Sequence, residues 1–335
     1  MKKRFGLTLA IALSVLIFAS AGPVLAYTVT GDLKAGYTYG STTSGSLWSV
    51  FTSGGGGVGS TNYDYIVVTG ANGSMATYSP GEISPSYYTP VTGSSYPGST
   101  SGGATVTIAP DANNDGGYTV TGDGQTITNV SNINVVRAPQ PPYTGSVGTT
   151  YPGSKNNEIP STLFTIFGPN IGTTTWTPDG AAAGSTQLPQ TDTQTISGSS
   201  HGTLYSNVYT GVSLVSLLQS AGVNTNNLNQ AVIAVGNDGF QITMSMSQIV
   251  SAGDLDMVAD ETNDPTSLYY NLDGTVSTTD AGGFARTILG NQNQNGQWDQ
   301  MLEGLEVVPT PVPPGILLLV PGLAGIWAAR KRIVQ

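Results

Sequence analysis

The sequence predicts an α+β fold, mainly β, written twice along one exported chain. Val, Ile, Tyr and Phe recur at short intervals between turns rich in Gly, Ser, Thr and Asn, the pattern of many short strands. Charged residues make up only 9% of the chain, but this regular apolar spacing argues against disorder. Three blocks also recur in the same order in the two halves, which points to tandem units.

The elements follow in chain order. Residues 1–26, MKKRFGLTLAIALSVLIFASAGPVLA, combine a basic head, an apolar run and a small-residue exit at Val24-Leu25-Ala26. This is the layout of a signal peptide, with the mature chain starting at Tyr27. The first unit is expected over 27–139. Leu47, Val50 and Phe51 fall at i, i+3 and i+4, one face of a short helix, and Gly54 stands where a left-handed cap is wanted. In the second unit, expected over 158–308, Leu214, Leu217, Leu218 and Gly222 repeat that layout.

The second block aligns residues 66–83, IVVTGANGSMATYSPGEI, without gaps on residues 232–249, VIAVGNDGFQITMSMSQI, with five identities. Asn72-Gly73 and Asp238-Gly239 are hairpin-turn dipeptides, since both residue types tolerate positive φ. Phe240, Ile242 and Met244 alternate with polar neighbours, which predicts a strand buried on one face. Each hairpin leads into a capping box, Ser79 to Glu82 and Ser245 to Gln248, and Pro80 suits the first helical position.

The third block is a final strand. Ile133-Asn134-Val135-Val136 matches Leu305-Glu306-Val307-Val308, and a proline-rich exit follows each. The first exit opens a Pro/Gly-rich linker at 140–157. The second opens the C-terminal segment, 309–335. There an apolar run, Gly315–Ala329, precedes Arg330, Lys331 and Arg332. At about 1.5 Å per residue it covers about 22 Å, a short transmembrane helix whose basic end stays in the cytoplasm.

The ends hold six of the ten Lys and Arg. Between them only Lys34, Arg137, Lys155 and Arg286 face twenty acidic residues, a balance of −16. Such a surface repels phosphate backbones and makes nucleic acid an unfavourable partner. The absence of cysteine excludes disulfides, thiolate metal ligands and cysteine nucleophiles. One histidine among many serines selects no hydrolase triad.

Two resemblances sharpen these expectations. The order Pro309-Thr310-Pro311, short apolar helix, Arg330-Lys331-Arg332 resembles the PEP-CTERM class of bacterial sorting signals, without that family's usual Glu. The resemblance implies an exosortase-like machinery as partner and a chain sorted to the cell surface, membrane-anchored at least transiently by the C-terminal helix. In the second unit, Tyr209/Gly211/Val212/Leu214, Asp238-Gly239-Phe240, Gly283 to Arg286 and Trp298 together resemble the molybdopterin-binding domain of sulfite-oxidase-type oxidoreductases. The implied fold is a mixed α+β domain with a large β component, and the first unit reads as a shorter, diverged copy. That family holds its metal through a cysteine thiolate, in a loop that falls between Thr173 and Leu204 here, and this chain has none. Losing a soft thiolate removes the covalent hold on molybdenum. Arg286 and His201 are the remaining candidates for cofactor contacts.

Asp111, Asn113 and Asp115 have the D-x-N-x-D-G spacing of a calcium loop, with Gly122 instead of Glu at the twelfth position. The matching segment 291–296 carries no carboxylate. The acidic group Asp254, Asp256, Asp260, Glu261 and Asp264 reads as a solvated loop, and the tyrosines of the first unit as strand packing. No catalytic residue and no resident cofactor are expected, calcium being the one candidate ion. The functional expectation is a non-catalytic protein that uses a degenerate molybdopterin-domain scaffold for contacts with cell-envelope or matrix components. The alternatives are a working molybdopterin oxidoreductase and a calcium-dependent surface adhesin.

Overall fold

A computed structural model describes residues 27–33, 35, 39, 44–52, 64–83, 106–111, 117–137, 163–177, 184–200, 203–236, 241–262, 269–270, 276–277, 285–290 and 302–309. The expected signal peptide, the linker at 140–157 and everything after Pro309 lie outside these residues. No helix among the described residues is long and apolar enough to cross a membrane. The fold is α+β and mainly β.

Residues 27–139 supply β1 (Thr28–Gly31), β2 (Gly45–Ser46), α1 (Ser49–Thr52), β3 (Asp64–Gly70), β4 (Met75–Tyr78), α2 (Pro80–Ile83), β5 (Thr107–Pro110), β6 (Tyr118–Gly122), β7 (Gln125–Ile127) and β8 (Val130–Arg137). They form two four-stranded sheets, β1-β8-β3-β4 and β2-β5-β6-β7. β1 runs parallel to β8, and the other neighbours are antiparallel.

The second half supplies β9 (Phe164–Gly168), β10 (Ile171–Thr177), β11 (Thr186–Gln187), β12 (Asp192–Ser200), β13 (Thr203–Ser213), α3 (Leu214–Ser220), β14 (Gln230–Gly236), β15 (Gln241–Ser245) and α4 (Met246–Ala252). After a 3-10 turn at Gly253–Leu255 come β16 (Asp256–Thr262), β17 (Tyr269–Tyr270), β18 (Val276–Ser277), β19 (Arg286–Leu289) and β20 (Leu302–Pro309). Its sheets are β11-β10-β9-β20-β14-β15, β12-β13-β16-β19 and the ribbon β17-β18. Without the edge pair β10 and β11, the larger sheet reads β9-β20-β14-β15. β9 is parallel to β20 and the rest are antiparallel, the order and senses of β1-β8-β3-β4. β13-β16-β19 likewise follows the order and senses of β2-β5-β6, with a helix after the first strand in each case.

Each half has its own apolar core. Leu47, Val50, Phe51, Ile66, Val68, Tyr78, Ile83 and Ile133 pack together in the first. Leu214, Leu217, Leu218, Val232, Ile242, Met244, Ile249 and Leu305 pack in the second. The helical i, i+3, i+4 triplets are therefore core-facing, although α1 starts only after Leu47. α3 is capped by Ser213, whose side chain accepts from the Ser216 amide, and closes through Gly222 N–H to Gln219 O and Val223 N–H to Leu218 O.

One expectation is corrected. β15 was expected to bury one face, but all five of its residues are buried. Ile242 and Met244 enter the second core. Gln241, Thr243 and Ser245, on the opposite face, are covered because β15 lies against β3 and β4 of the first half. Alternation in sequence reports polarity, and a polar face can be buried when another sheet supplies its partners.

Two turns also differ from the dipeptide rule. At Asn72-Gly73 only Gly73 has positive φ (83°). Gly70 N–H reaches Ser74 O at 2.9 Å and Gly73 N–H reaches Gly70 O at 3.0 Å, a three-residue loop with Gly73 in the left-handed position. The two-residue primed turn is instead Asp123-Gly124 between β6 and β7, with φ of 45° and 73°. Asp238-Gly239 lies outside the described residues.

Candidate functional site

The two halves meet through equivalent faces. Tyr65 and Val67 of β3 pack with Ala231, Ile233 and Val235 of β14 and with Val308 of β20, and Val136 of β8 lies against them. The 166-residue offset of the gapless alignment pairs Tyr65 with Ala231 and Val67 with Ile233. The terminal strands add Val136 and Val308 as a further pair, whereas Val235 aligns with Thr69, which lies outside the cluster. This apolar seam is small, and it continues into a buried polar clasp.

The clasp is built from the two capping boxes. Ser79 precedes α2, its Oγ accepts from Glu82 N–H at 3.3 Å, and Glu82 Oε2 accepts from Ser79 N–H. Ser245 caps α4, its Oγ accepting from Gln248 N–H at 3.0 Å. Each serine hydroxyl then donates to the N3 side chain of the other half. Ser79 Oγ–H reaches Gln248 Oε1 at 2.7 Å, and Ser245 Oγ–H reaches Glu82 Oε1 at 2.8 Å. Ser247 Oγ lies 2.9 Å from Ser245 Oγ and donates to Thr77 O at 3.4 Å. Ser79, Glu82, Ser245 and Gln248 are all 0% exposed.

Glu82 is the electrostatic centre. Its carboxyl is held well above the ordinary range by burial first, then by the charge of Asp123 and a hydrogen bond to it; the Ser79 and Ser245 contacts pull the other way. Asp123 comes from the β6–β7 turn. Tyr78, fully buried at the end of β4, is raised by burial and by the Glu82 and Asp123 charges. Tyr78 Oη and Gln248 Nε2 find no hydrogen-bond partner among the described residues. The arrangement can hold a proton and tie two sheets together; it contains no histidine or thiol.

Of the site residues singled out in the sequence, only Arg286, Asp111 and Pro309 are among the described residues. Arg286 opens β19 in register with Ala259 of β16 and is 8% exposed. His201, Asn113, Asp115, Thr310, Pro311, Arg330, Lys331 and Arg332 lie outside the described residues, as do Gly283 and Trp298. Pro309 ends β20. Asp111 is 8% exposed, and its carboxylate accepts from Thr119 Oγ at 3.1 Å, so it is turned onto its own hairpin. No cluster of three or more His, Asp or Glu among the described residues could hold a metal.

The acidic group expected in a solvated loop is corrected in part. Asp256 and Asp260 sit buried on β16, and Gln190 Nε2 donates to Asp260. Tyr65 and Tyr78 are strand-packing residues, 3% and 0% exposed. Gly211, part of the Tyr209–Leu214 pattern, has a local reason. A Cβ there would stand 2.1 Å from Val258 O, where β13 shifts register against β16. Sequence reasoning missed Asp123, although Asp123-Gly124 is the same type of hairpin dipeptide as those it used.

Compared with models of known families and with curated proteins, the chain matches none of them.

Proposed function

We propose that this chain is an exported, surface-sorted, non-catalytic protein in which two tandem, degenerate molybdopterin-domain-like units act as a scaffold for contacts in the cell envelope or extracellular matrix. The observation that carries the reading is the equivalence of the halves. The strand order and senses of β1-β8-β3-β4 recur in β9-β20-β14-β15, a capping box of the same S-x-x-[E/Q] form recurs, and like faces are packed on one another. A duplicated domain joined by a proline-rich linker accounts for this with a single event. The thiolate expected to grip molybdenum in a sulfite-oxidase-type domain is missing, because no cysteine exists. A soft metal centre without a thiolate keeps only weaker ligands.

Export, sorting by an exosortase-like machinery and membrane attachment rest on residues 1–26 and 309–335. The exported surface, at −16, favours cationic or neutral partners over polyanions. The experiment is metal and pterin analysis of the protein purified from a host that makes molybdopterin. The expected result is substoichiometric molybdenum and no pterin. A one-to-one molybdenum content would establish the oxidoreductase reading instead.

A further inference from the structure

Residues 193–237 carry no Asp, Glu, Lys or Arg, in a chain whose exported part stands at −16. The strand that opens this stretch, β12, is an edge of its sheet among the described residues. It has no counterpart in the first half, because the shared order begins at β13. Edge strands are ordinarily protected by shortness, charge, proline or a bulge. The other sheet edges away from the seam are short: β1 and β19 have four residues, β7 has three, and β2 and β11 have two. β12 departs from that rule. It runs for nine residues, DTQTISGSS, pairs with β13 without a register shift, and carries one charge, Asp192, at its first position.

The hairpin fixes which backbone groups face outward. Ser200 pairs with Thr203, so two residues join the strands, and the flanking pair exchanges both backbone bonds. Bonded and non-bonded pairs alternate from there along the ladder. Ser200, Gly198, Ile196, Gln194 and Asp192 therefore turn their N–H and C=O groups to β13. Thr193, Thr195, Ser197 and Ser199 turn theirs away from it, four donors and four acceptors in one row. The strand is anchored by Ile196 in the second core and is open to solvent at Thr193 and Thr195.

We propose that β12 is a self-docking edge, and that a second copy of this chain adds its own β12 antiparallel about a two-fold axis at Ile196. In that register Thr193 lies opposite the partner's Ser199 and Thr195 opposite the partner's Ser197. Both pairs are symmetric about Ile196, so every outward donor and acceptor of both strands is satisfied at once. Asp192 lies opposite the partner's Ser200, which sets the two Asp192 carboxylates at opposite ends of the ladder, about 27 Å apart at about 3.4 Å per residue. No other charge enters it. The two four-stranded sheets become one continuous sheet. Two acidic chains repel over most of their surfaces, and the charge-free stretch is where they approach with least repulsion. The docking edge belongs to a different sheet from the clasp and stands whether or not the units hold molybdopterin.

The test follows association of the mature chain by light scattering from micromolar to submillimolar concentration. Wild type is expected to dimerise as concentration rises. Thr195→Lys sets two cations diagonally across the centre of the ladder. Thr195→Pro removes one outward N–H that β13 does not use. Each should weaken dimerisation about tenfold or more, while the monomer's circular dichroism and melting midpoint hold. Because the chain has no cysteine, Thr193→Cys and Thr195→Cys each take a single nitroxide label. In the proposed register the two copies' positions 195 lie about 7–8 Å apart and their positions 193 about 20 Å apart. Dipolar broadening should therefore appear at 195 and not at 193, and this readout decides the matter if either variant fails to fold. A chain that stays monomeric throughout the range, a dimer that both variants leave intact, or broadening at 193 without broadening at 195 would each overturn the proposal.

Discussion

At the residue scale, Ser245 and Tyr78 show how far one side chain is decided by its buried partners. Ser245→Ala removes both the N-cap of α4 and the donor to Glu82 Oε1. Leaving a buried acceptor without its partner costs about 1–3 kcal/mol, and a lost cap about 1 kcal/mol. The denaturant midpoint of the second half should fall accordingly, with an unchanged slope. Tyr78→Phe is predicted to go the other way. Its hydroxyl has no hydrogen-bond partner among the described residues, so deleting it relieves an uncompensated desolvation. The midpoint should stay or rise, and a fall of more than about 1 kcal/mol would assign Tyr78 Oη a partner. The capping boxes themselves were legible, because S-x-x-[E/Q] is a local signal. That they cross was not: the bonded residues stand 169 and 163 positions apart, and a local pattern says nothing about a second copy lying against it.

At the element scale, the strands were read correctly where burial and polarity coincide. Ile66, Val68, Val232 and Ala234 occupy alternating positions and enter their cores. The reading failed at β15, where Gln241, Thr243 and Ser245 look solvent-facing in sequence and are buried at the seam. It failed again at Asp123-Gly124, a turn dipeptide hidden among similar residues. β13 offers an element-level prediction. Gly211 sits at its bulge, where a side chain would meet the Val258 carbonyl. Gly211→Ala should destabilise the protein by about 1–3 kcal/mol through forced backbone displacement. Calorimetry should place the loss in the second half and leave the first core's transition unchanged.

At the scale of the whole molecule, two small cores share one seam, and no disulfide holds them together because the chain has no cysteine. Fold class was legible from strand spacing, and the recurrence of three blocks is what the proposed duplication starts from. The face-to-face docking was not, since the seam residues Tyr65, Val67, Ile233 and Val235 are ordinary strand residues until a partner covers them. The excess of acidic residues gives a molecule-level expectation. Self-repulsion of a −16 surface is screened by salt, so melting temperature should rise between 10 and roughly 150 mM NaCl, a range in which the Debye length falls from about 30 to about 8 Å. An unchanged melting temperature would mean that the charges lie too far apart to interact.

The most direct measurement is a double-mutant cycle between Ser79→Ala and Gln248→Ala, read by denaturant unfolding. Docked, interlocked halves predict a coupling energy of about 0.5–3 kcal/mol across 169 residues of sequence. Additivity within about 0.3–0.5 kcal/mol would mean that the two halves do not grip one another through their caps.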